Sequence, residues 1–402
     1  MRPSRLVADA CCALLIAAAV FWLSCLVETP GTNGFSFGLT YQKMSVAPFE
    51  WRDLFPHRIL LPAFAHLLGL DGARFYLAAH GSAALLLAMV FWAARRLGCD
   101  LVDSALLTLA CGLGGATQLY KSHVGYPDSL SFVMLLAAAL SVRNGAALWI
   151  FTLFGALAHE QVLFFVPVLL WLRRALAGAD WRRDGAAAAA VVVAYGAFRW
   201  YVHDHAADDI PPSYYFGNGY FPLGFLGVLY LALVQVVLVF GVQLVALPFA
   251  YRHGAANPPA MVGGERRWQR PALLLYLLAI LGIYLVAHDF NRFVNFLFLP
   301  LLWSWRELLR RGGGRGLLLA ALVLQVLVSR YAVMPVAQHF YAPMVACNCL
   351  TGVPRDLQKL TTVVLPQVWP WVLAAALLLI ALMAWGWRLG RDRNGDGATP
   401  PS

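Results

Sequence analysis

The feature that most constrains this chain is a series of about a dozen apolar runs of helix length, separated by short polar segments. Hydrophobic residues make up 61% of the sequence and charged residues only 12%, with a mean hydropathy of +0.67. An ordinary soluble domain has about half apolar and about a quarter charged residues. The pattern therefore predicts an all-α, polytopic transmembrane protein.

The hydropathy pattern predicts twelve spans, several of them short or broken. The first follows Arg2 and Arg5 and resembles a signal peptide, but no small-residue cleavage site follows it cleanly, so we interpret it as an uncleaved span. The spans are 6–26, 72–94, 101–119, 128–142, 145–158, 161–172, 185–202, 222–250, 271–287, 293–305, 316–333 and 367–388. They form one transmembrane domain, 1–390, with external loops at 27–71 and 334–366, followed by a disordered cytoplasmic tail, 391–402.

The segment 145–172 decides the topology, because it is either one long helix or two short helices that turn at His159-Glu160. With the turn, fifteen of the basic residues after position 172 lie in cytoplasmic segments and five lie outside. A single helix would reverse that ratio against the positive-inside tendency. We therefore predict the turn, with both termini in the cytoplasm.

The two helices that meet at this turn are short. Fourteen residues make a helix of about 21 Å, whereas the hydrocarbon core is about 30 Å thick. The His159-Glu160 turn is thus expected below the outer surface, covered by protein or lining a water-filled cavity.

The formal net charge of +10 comes mainly from arginines placed as pairs at helix ends. Such placement indicates membrane orientation and membrane lipid as the partner, and it does not favour nucleic-acid binding. Arginine accounts for 27 of the 30 basic residues, a bias typical of GC-rich bacterial coding, so we expect a bacterial inner-membrane protein. The Cys and His spacing resembles no zinc site, no cofactor is predicted, and a disulfide at Cys347 or Cys349 stays open.

In this topology the ionisable side chains other than arginine gather at the external face. Nine of the ten histidines fall there or near it. The external segments and adjoining helix ends contain Glu28, Glu50, Asp53, His57, Arg58, His66, Lys121, His123, Asp128, His159, Glu160, His203, Asp204, His205, Asp208, Asp209, His288, Asp289, Arg292 and His339.

The first external loop has two parts. Residues 27–56 are polar and aromatic with several glycines, and are expected to be irregular, whereas residues 57–70 read as an interfacial helix. Arg58 is either an arginine that reaches lipid headgroups or a phosphate ligand. Glu50 and Asp53 are either solvated charges or a general base towards an acceptor hydroxyl.

The next external loop, around 120–128, is expected to be tight. Lys121 is a phosphate candidate, and Asp128 suits the N-cap of the helix that follows. In the external segment 288–292, Arg292 either binds a lipid-linked phosphate or pairs with Asp289.

Glu160 is the candidate with the strongest physical argument, because an acid in an apolar segment is costly and usually marks a functional site or a specific partner. The competing interpretation is a turn residue solvated by the cavity, with His159 as its neighbour and not its partner.

The long first external loop bearing acids, the interfacial helix after it and the short broken spans resemble the C-type integral-membrane glycosyltransferases (GT-C). The runs Ala156-Leu-Ala-His159-Glu160-Gln161 and Arg58-Ile-Leu-Leu-Pro62 are similar to segments of bacterial members. The resemblance covers residues 1 to about 300 and implies a polyprenyl-phosphate sugar donor and a first-loop carboxylate as base, here Asp53 or Glu50, with Glu28 third. The chain departs from the family pattern because that loop has no adjacent pair of acids.

These observations favour an integral-membrane glycosyltransferase that moves a sugar from a polyprenyl-phosphate donor to an acceptor at the extracytoplasmic face. The alternatives are a secondary transporter, or a polymerase or ligase of lipid-linked oligosaccharide. The catalytic candidates are Asp53, Glu50 and Glu160; the candidates for substrate binding are Arg58, Lys121, His123, His159, Asp289 and Arg292.

Overall fold

The regular structure of the chain is helical, as predicted, over the part that the computed structural model describes. That part comprises residues 3–26, 35–51, 54–122, 124–206, 236, 240–247, 269–286, 290–309, 314–328, 377 and 381. The α-helices are α1 (Pro3–Leu23), α2 (Phe35–Val46), α3 (Leu60–Leu67), α4 (Phe75–Arg96), α5 (Leu101–Leu113), α6 (Gly115–Ser122), α7 (Asp128–Leu140), α8 (Gly145–Ala158), α9 (Val166–Ala177), α10 (Trp181–His205), α11 (Gln269–Val286), α12 (Phe290–Phe293), α13 (Phe298–Leu309) and α14 (Gly314–Val328). Short 3₁₀ segments lie at Ser24–Leu26, Gly72–Arg74, Glu160–Phe165, Gly241–Ala246 and Val294–Leu297.

Two helical stretches among the described residues are long and apolar enough to cross a membrane. They are Gly72–Arg96 and Trp181–His205, each 25 residues long, with hydropathies of 1.7 and 1.3. Two such helices are weak evidence for membrane association. Of the twelve predicted spans, 222–250 and 367–388 lie mostly outside the described residues, and each of the other ten overlaps a helical segment.

The starts of three helices are explained by capping side chains. The Asp100 carboxylate accepts a hydrogen bond from the backbone N–H of Asp103 at 2.8 Å, and the Asn144 side chain accepts one from Ala147 at 3.3 Å. Asp180 does the same for α10. Because these side chains satisfy backbone donors that lack an intrahelical partner, they fix where α5, α8 and α10 begin.

The chain reverses direction between α8 and α9, as predicted. Helix α8 ends at Ala158, and His159 has an extended backbone with φ −158°. Arg173, near the end of α9, donates to the carbonyl of Val142 at 2.8 Å, and a Cβ added to Gly145 would lie 3.0 Å from the same guanidinium. The end of α9 therefore lies beside the start of α8, so the two helices form a hairpin.

Arginines connect the helix ends that lie away from this turn. Arg95 donates to Asp9 at 3.1 Å, and Arg306 donates to the carbonyl of Leu97 at 2.7 Å. Arg315 forms hydrogen bonds with Asp100 and Asp103. Since α1, α4, α5, α13 and α14 meet through these contacts, this basic end of the bundle is distinct from the end that carries the turn.

Two predictions about the external loops need correction. The segment 27–56 is not irregular throughout, because α2 begins directly after Gly34 and buries Tyr41, Met44 and Ser45 at helical spacing. The loop at 120–127 is shorter than predicted, since α6 continues to Ser122. The predicted helix at 57–70 is present as α3, eight residues long.

An aromatic cluster underlies the turn. The ring of Phe296 lies 4.9 Å from the rings of both Phe132 and Phe165, and Phe165 lies 4.6 Å from Tyr276. The Tyr276 hydroxyl donates to the carbonyl of Phe296 at 2.6 Å. This cluster joins α7, the 3₁₀ segment after Glu160, α11 and the segment after α12, and so fixes the position of Arg292.

Gly38 sets how closely α2 approaches the loop before α7. A Cβ at this position would fall on the carbonyl oxygen of Val124, whereas a Cβ at Gly81 in α4 would meet nothing within 4 Å. We therefore expect Gly38→Ala to destabilise the protein by about 1–3 kcal/mol, because backbone must shift.

The matched control is Gly81→Ala, which should be neutral or stabilising by about 0.5–1 kcal/mol because it removes a helical glycine. Thermal unfolding of both variants in detergent tests the pair. Equal unfolding temperatures would contradict the close approach.

Candidate functional site

Charged side chains from four separate parts of the chain meet at the turn between α8 and α9. Arg58 comes from the segment before α3, Asp128 is the first residue of α7, His159 and Glu160 form the turn, and Arg292 lies in α12. Hydrogen bonds join Arg58 to Glu160, and Arg292 to both Asp128 and His159, while His159 Nδ1 lies 3.4 Å from Glu160 Oε2. The structure thus brings together five residues from segments that the sequence analysis assigned to the same face.

The first ion pair is a bidentate contact between Arg58 and Glu160. Arg58 donates from Nε to Glu160 Oε2 at 3.0 Å and from Nη2 to Oε1 at 2.6 Å. Its Nη1 donates to the Tyr41 hydroxyl at 3.2 Å, and its guanidinium lies 4.6 Å from the centre of the Phe55 ring. Helix α2 and the segment before α3 therefore orient the arginine, and the arginine orients the carboxylate.

The second ion pair joins Arg292 to Asp128. Arg292 Nη2 donates to Oδ2 at 2.8 Å and to Oδ1 at 3.0 Å, and Nε donates to Oδ1 at 3.2 Å. The guanidinium also lies 4.4 Å from the centre of the Tyr126 ring. The prediction that Asp128 caps α7 is wrong, because its side chain makes no capping hydrogen bond and both oxygens accept from Arg292.

His159 lies between the two ion pairs. Its Nε2 is 3.0 Å from Arg292 Nη2, and its Nδ1 is 3.4 Å from Glu160 Oε2. A guanidinium nitrogen can only donate, so Nε2 accepts and the proton of a neutral ring resides on Nδ1. The ring is thus hydrogen-bonded to Arg292 of the second pair, whereas its Nδ1 lies close to Glu160 without forming a hydrogen bond, as expected of a neighbour of that residue.

The cluster is electrically balanced and mostly buried. Two arginines face two carboxylates, so the formal charges of these four side chains cancel. The side chains of His57, His159, Asp128, Arg292 and Arg58 are at most 5% exposed, whereas Glu160 is 22% exposed. Glu160 is thus the part of the cluster that a ligand can reach from outside.

The environment keeps Glu160 ionised. Burial alone would raise the pKa of its carboxyl, but Arg58 and the flanking imidazoles outweigh burial and hold the pKa well below its ordinary value. Burial, reinforced by Arg58, lowers the pKa of His159 to about 3, although Glu160 and Asp128 act in the opposite direction. The site therefore presents a carboxylate beside the uncharged imidazole of His159, which suits the binding of hydroxyl groups better than proton abstraction.

The other predicted site residues are only partly covered by the structure. Asp53, His123 and Asp289 lie outside the described residues. Lys121 lies in the last turn of α6, and its side chain is outside the described part. Glu50 is exposed in the turn after α2. Its location in the segment 27–71 is therefore the one argument for it as a candidate base.

Trp51 connects that turn to α10. Its backbone has φ 51°, an uncommon conformation for a residue other than glycine, and its ring lies 5.8 Å from Phe198 and 6.3 Å from Tyr201. One turn earlier on α10, Tyr195 interacts electrostatically with Glu160. Helix α10 therefore lies beside both the Glu50-Trp51 turn and the charged cluster.

Tyr41, His57 and the pairing role of Asp128 were not predicted. His57 Nε2 lies 3.6 Å from Glu160 Oε2, and Tyr41 contacts Arg58. Asp128 could have been found by the argument that selected Glu160, because it too is an acid in an apolar segment. Tyr41 offered no such signal, since its segment was expected to be irregular.

No three His, Cys, Asp or Glu residues within the described ranges are arranged to hold a metal ion. No family model, no curated protein and no solved structure matches the chain. Its function is therefore argued from the site itself.

Proposed function

We propose that this protein is an integral-membrane glycosyltransferase of the bacterial inner membrane, with about twelve spans, that transfers a sugar from a polyprenyl-phosphate donor to an acceptor at the extracytoplasmic face. One observation carries the proposal. An ionised carboxylate, Glu160, is held by a buried arginine and is the accessible member of a compensated cluster at the end of the bundle opposite the arginine-rich helix ends.

Exposed apolar side chains support the membrane assignment. On α10, Val193 is 69% and Trp200 77% exposed, and on α1, Leu15 is 72% and Trp22 73% exposed. Monomeric soluble proteins rarely expose contiguous apolar surface of this kind. In a bilayer these helix faces would contact lipid at little cost.

The lengths of the helices support a recessed site. Helix α7 has 13 residues, α8 has 14 and α9 has 12, and each runs between the turn end and the opposite end of the bundle. Helices of this length rise about 18–21 Å, against a hydrocarbon core of about 30 Å. With the arginine-rich ends at the inner boundary, the cluster would lie roughly 10 Å below the outer boundary, where both a lipid-linked donor and water can reach it.

In this proposal Glu160 accepts hydrogen bonds from sugar hydroxyls and stabilises the positive charge that develops at the anomeric carbon. The donor phosphate would be bound by Arg58 and Lys121, whereas Arg292 is buried against Asp128. His123 and Asp289 belong to the same predicted external loops. Because Arg58 lies directly against the Glu160 carboxylate, a phosphate that binds Arg58 must share the guanidinium with Glu160. Asp53 or Glu50 would deprotonate the acceptor hydroxyl.

A membrane assay tests the proposal. Membrane vesicles that contain the full chain should convert radiolabelled polyprenyl-phosphate sugars to free polyprenyl phosphate and a labelled acceptor, and vesicles without it should not. A panel of hexose and pentose donors is needed, because the site does not select one. If no donor is consumed, and the vesicles instead accumulate a free solute in a manner that depends on the chain, the protein is a transporter and the proposal fails.

A further inference from the structure

We propose that Asp128, Arg292 and His159 form a buried positioning relay that holds Glu160 in place, without themselves touching the substrate. Its catalytic consequence rests on the proposed function, but the relay can also be tested without transfer activity. His159 and Arg292, which the sequence analysis named as candidates for substrate binding, would then affect the substrate only through Glu160.

Burial supports an indirect role for the three relay residues. The side chains of His159, Asp128 and Arg292 are 0%, 3% and 4% exposed, whereas Glu160 is 22% exposed. A ligand that arrives from solvent therefore meets Glu160 before it can reach any of the other three.

The direction of the hydrogen bonds also supports the relay. Asp128 accepts from Arg292 through both oxygens, which fixes the plane of the guanidinium. The same Nη2 donates to His159 Nε2 at 3.0 Å, so the ring proton is on Nδ1, which lies 3.4 Å from Glu160 Oε2 without the alignment of a hydrogen bond. Asp128 thereby orients Arg292, Arg292 sets the orientation and tautomer of His159, and the relay ends with the Nδ1–H dipole close to the accessible carboxylate.

Glu160 has neighbours from three parts of the fold. His57 and Arg58 approach it from the segment before α3, and His159 from its own turn. Tyr195 on α10 interacts with it, and Arg199 in turn interacts with Tyr195. Because Arg58 binds Glu160 through two hydrogen bonds that do not involve His159, loss of the relay should weaken the stabilisation of the carboxylate without abolishing it.

His159→Leu and His159→Gln form the critical comparison. Leucine can neither accept from Arg292 nor place a polar N–H close to Glu160. A glutamine carboxamide can do both, since its oxygen accepts, its nitrogen carries N–H groups and the two atoms are spaced much like the two ring nitrogens of histidine. His66→Leu is the matched control, because His66 lies on α3 outside the cluster and is 41% exposed.

The readout is the pH dependence of initial transfer rates in vesicles. Glu160 has a lowered pKa, so activity should persist to low pH in the unchanged protein and fall as the carboxyl becomes protonated. In His159→Leu the pKa of Glu160 should rise, moving the acid limb upward by about one pH unit or more. His159→Gln and His66→Leu should keep the acid limb of the unchanged protein.

A second measurement separates the relay from the proposed function. Infrared difference spectra of the purified full chain, recorded across pH and corrected with Glu160→Gln, follow protonation of Glu160 directly. A higher midpoint in His159→Leu but not in His159→Gln supports the relay even if no donor is consumed. Identical midpoints for all three proteins, or equal displacement in both His159 variants, would overturn it.

Discussion

Replacing Glu160 with glutamine should abolish sugar transfer while the protein remains folded in the membrane. Glutamine has nearly the same shape, and its oxygen can still accept one hydrogen bond from Arg58, which now binds Glu160 through two. What disappears is the negative charge that, in the proposed function, faces the sugar. Loss of one such electrostatic group lowers turnover by about 100- to 1,000-fold in well-studied enzymes, and we expect at least that effect here.

Glu307→Gln provides a closely matched control for this prediction. Glu307 is 19% exposed and accepts from Arg306 at 2.7 Å, so it resembles Glu160 in exposure and in having an arginine partner. It lies in α13 at the basic end of the bundle. Initial rates with a polyprenyl-phosphate sugar, normalised to the amount of each protein in the membrane, should fall for Glu160→Gln alone. Unchanged transfer by Glu160→Gln would remove Glu160 from the catalytic machinery.

The helical fold and the reversal at His159-Glu160 could be predicted from the sequence because both depend on regular signals. Hydrophobic runs of helix length indicate helices, and the distribution of arginines between alternate loops excludes a single long helix over 145–172. The contact between Arg173 and Val142 is what such a reversal requires. Local pattern and charge asymmetry together were sufficient for these elements.

The partners within the cluster could not be predicted because they join residues that are far apart in sequence. Arg58 and Glu160 are separated by 102 positions, and Asp128 and Arg292 by 164. Local reasoning assigned Asp128 to capping, the commonest role for an aspartate at a helix start. An argument from burial would have predicted the pair, because a buried Asp128 in an apolar segment needs a cation. Arg292 is one of the few arginines that were assigned to the external face.

The helix α2 shows a different limit of local signals. Glycine and proline near positions 30–38 suggested irregular structure for the whole segment, yet Gly38 lies inside the helix because the helix touches the backbone of Val124 there. This glycine was selected by a close approach in the tertiary structure. Such a contact cannot be distinguished from a turn signal in the sequence alone.

Removal of Arg292 should have the largest effect on stability. Arg292→Met leaves the Asp128 carboxylate buried without its main cation, and breaking a buried pair in this way costs about 3–5 kcal/mol. We expect much less protein in the membrane and a markedly lower unfolding temperature in detergent. Arg95→Met is the control, since its pair with Asp9 is 28% and 15% exposed and should contribute at most about 1 kcal/mol.

A double variant separates the cost of an unpaired charge from the value of the pair itself. Replacing a buried ion pair by apolar residues of similar size is often neutral or stabilising. Asp128→Leu combined with Arg292→Met should therefore recover most of the stability lost in Arg292→Met, because the aromatic cluster of Phe132 and Phe296 extends beneath the site. Transfer should not recover with it, since His159 loses the donor that fixes its tautomer. A stable double variant with full transfer activity would show that the buried pair contributes only to folding.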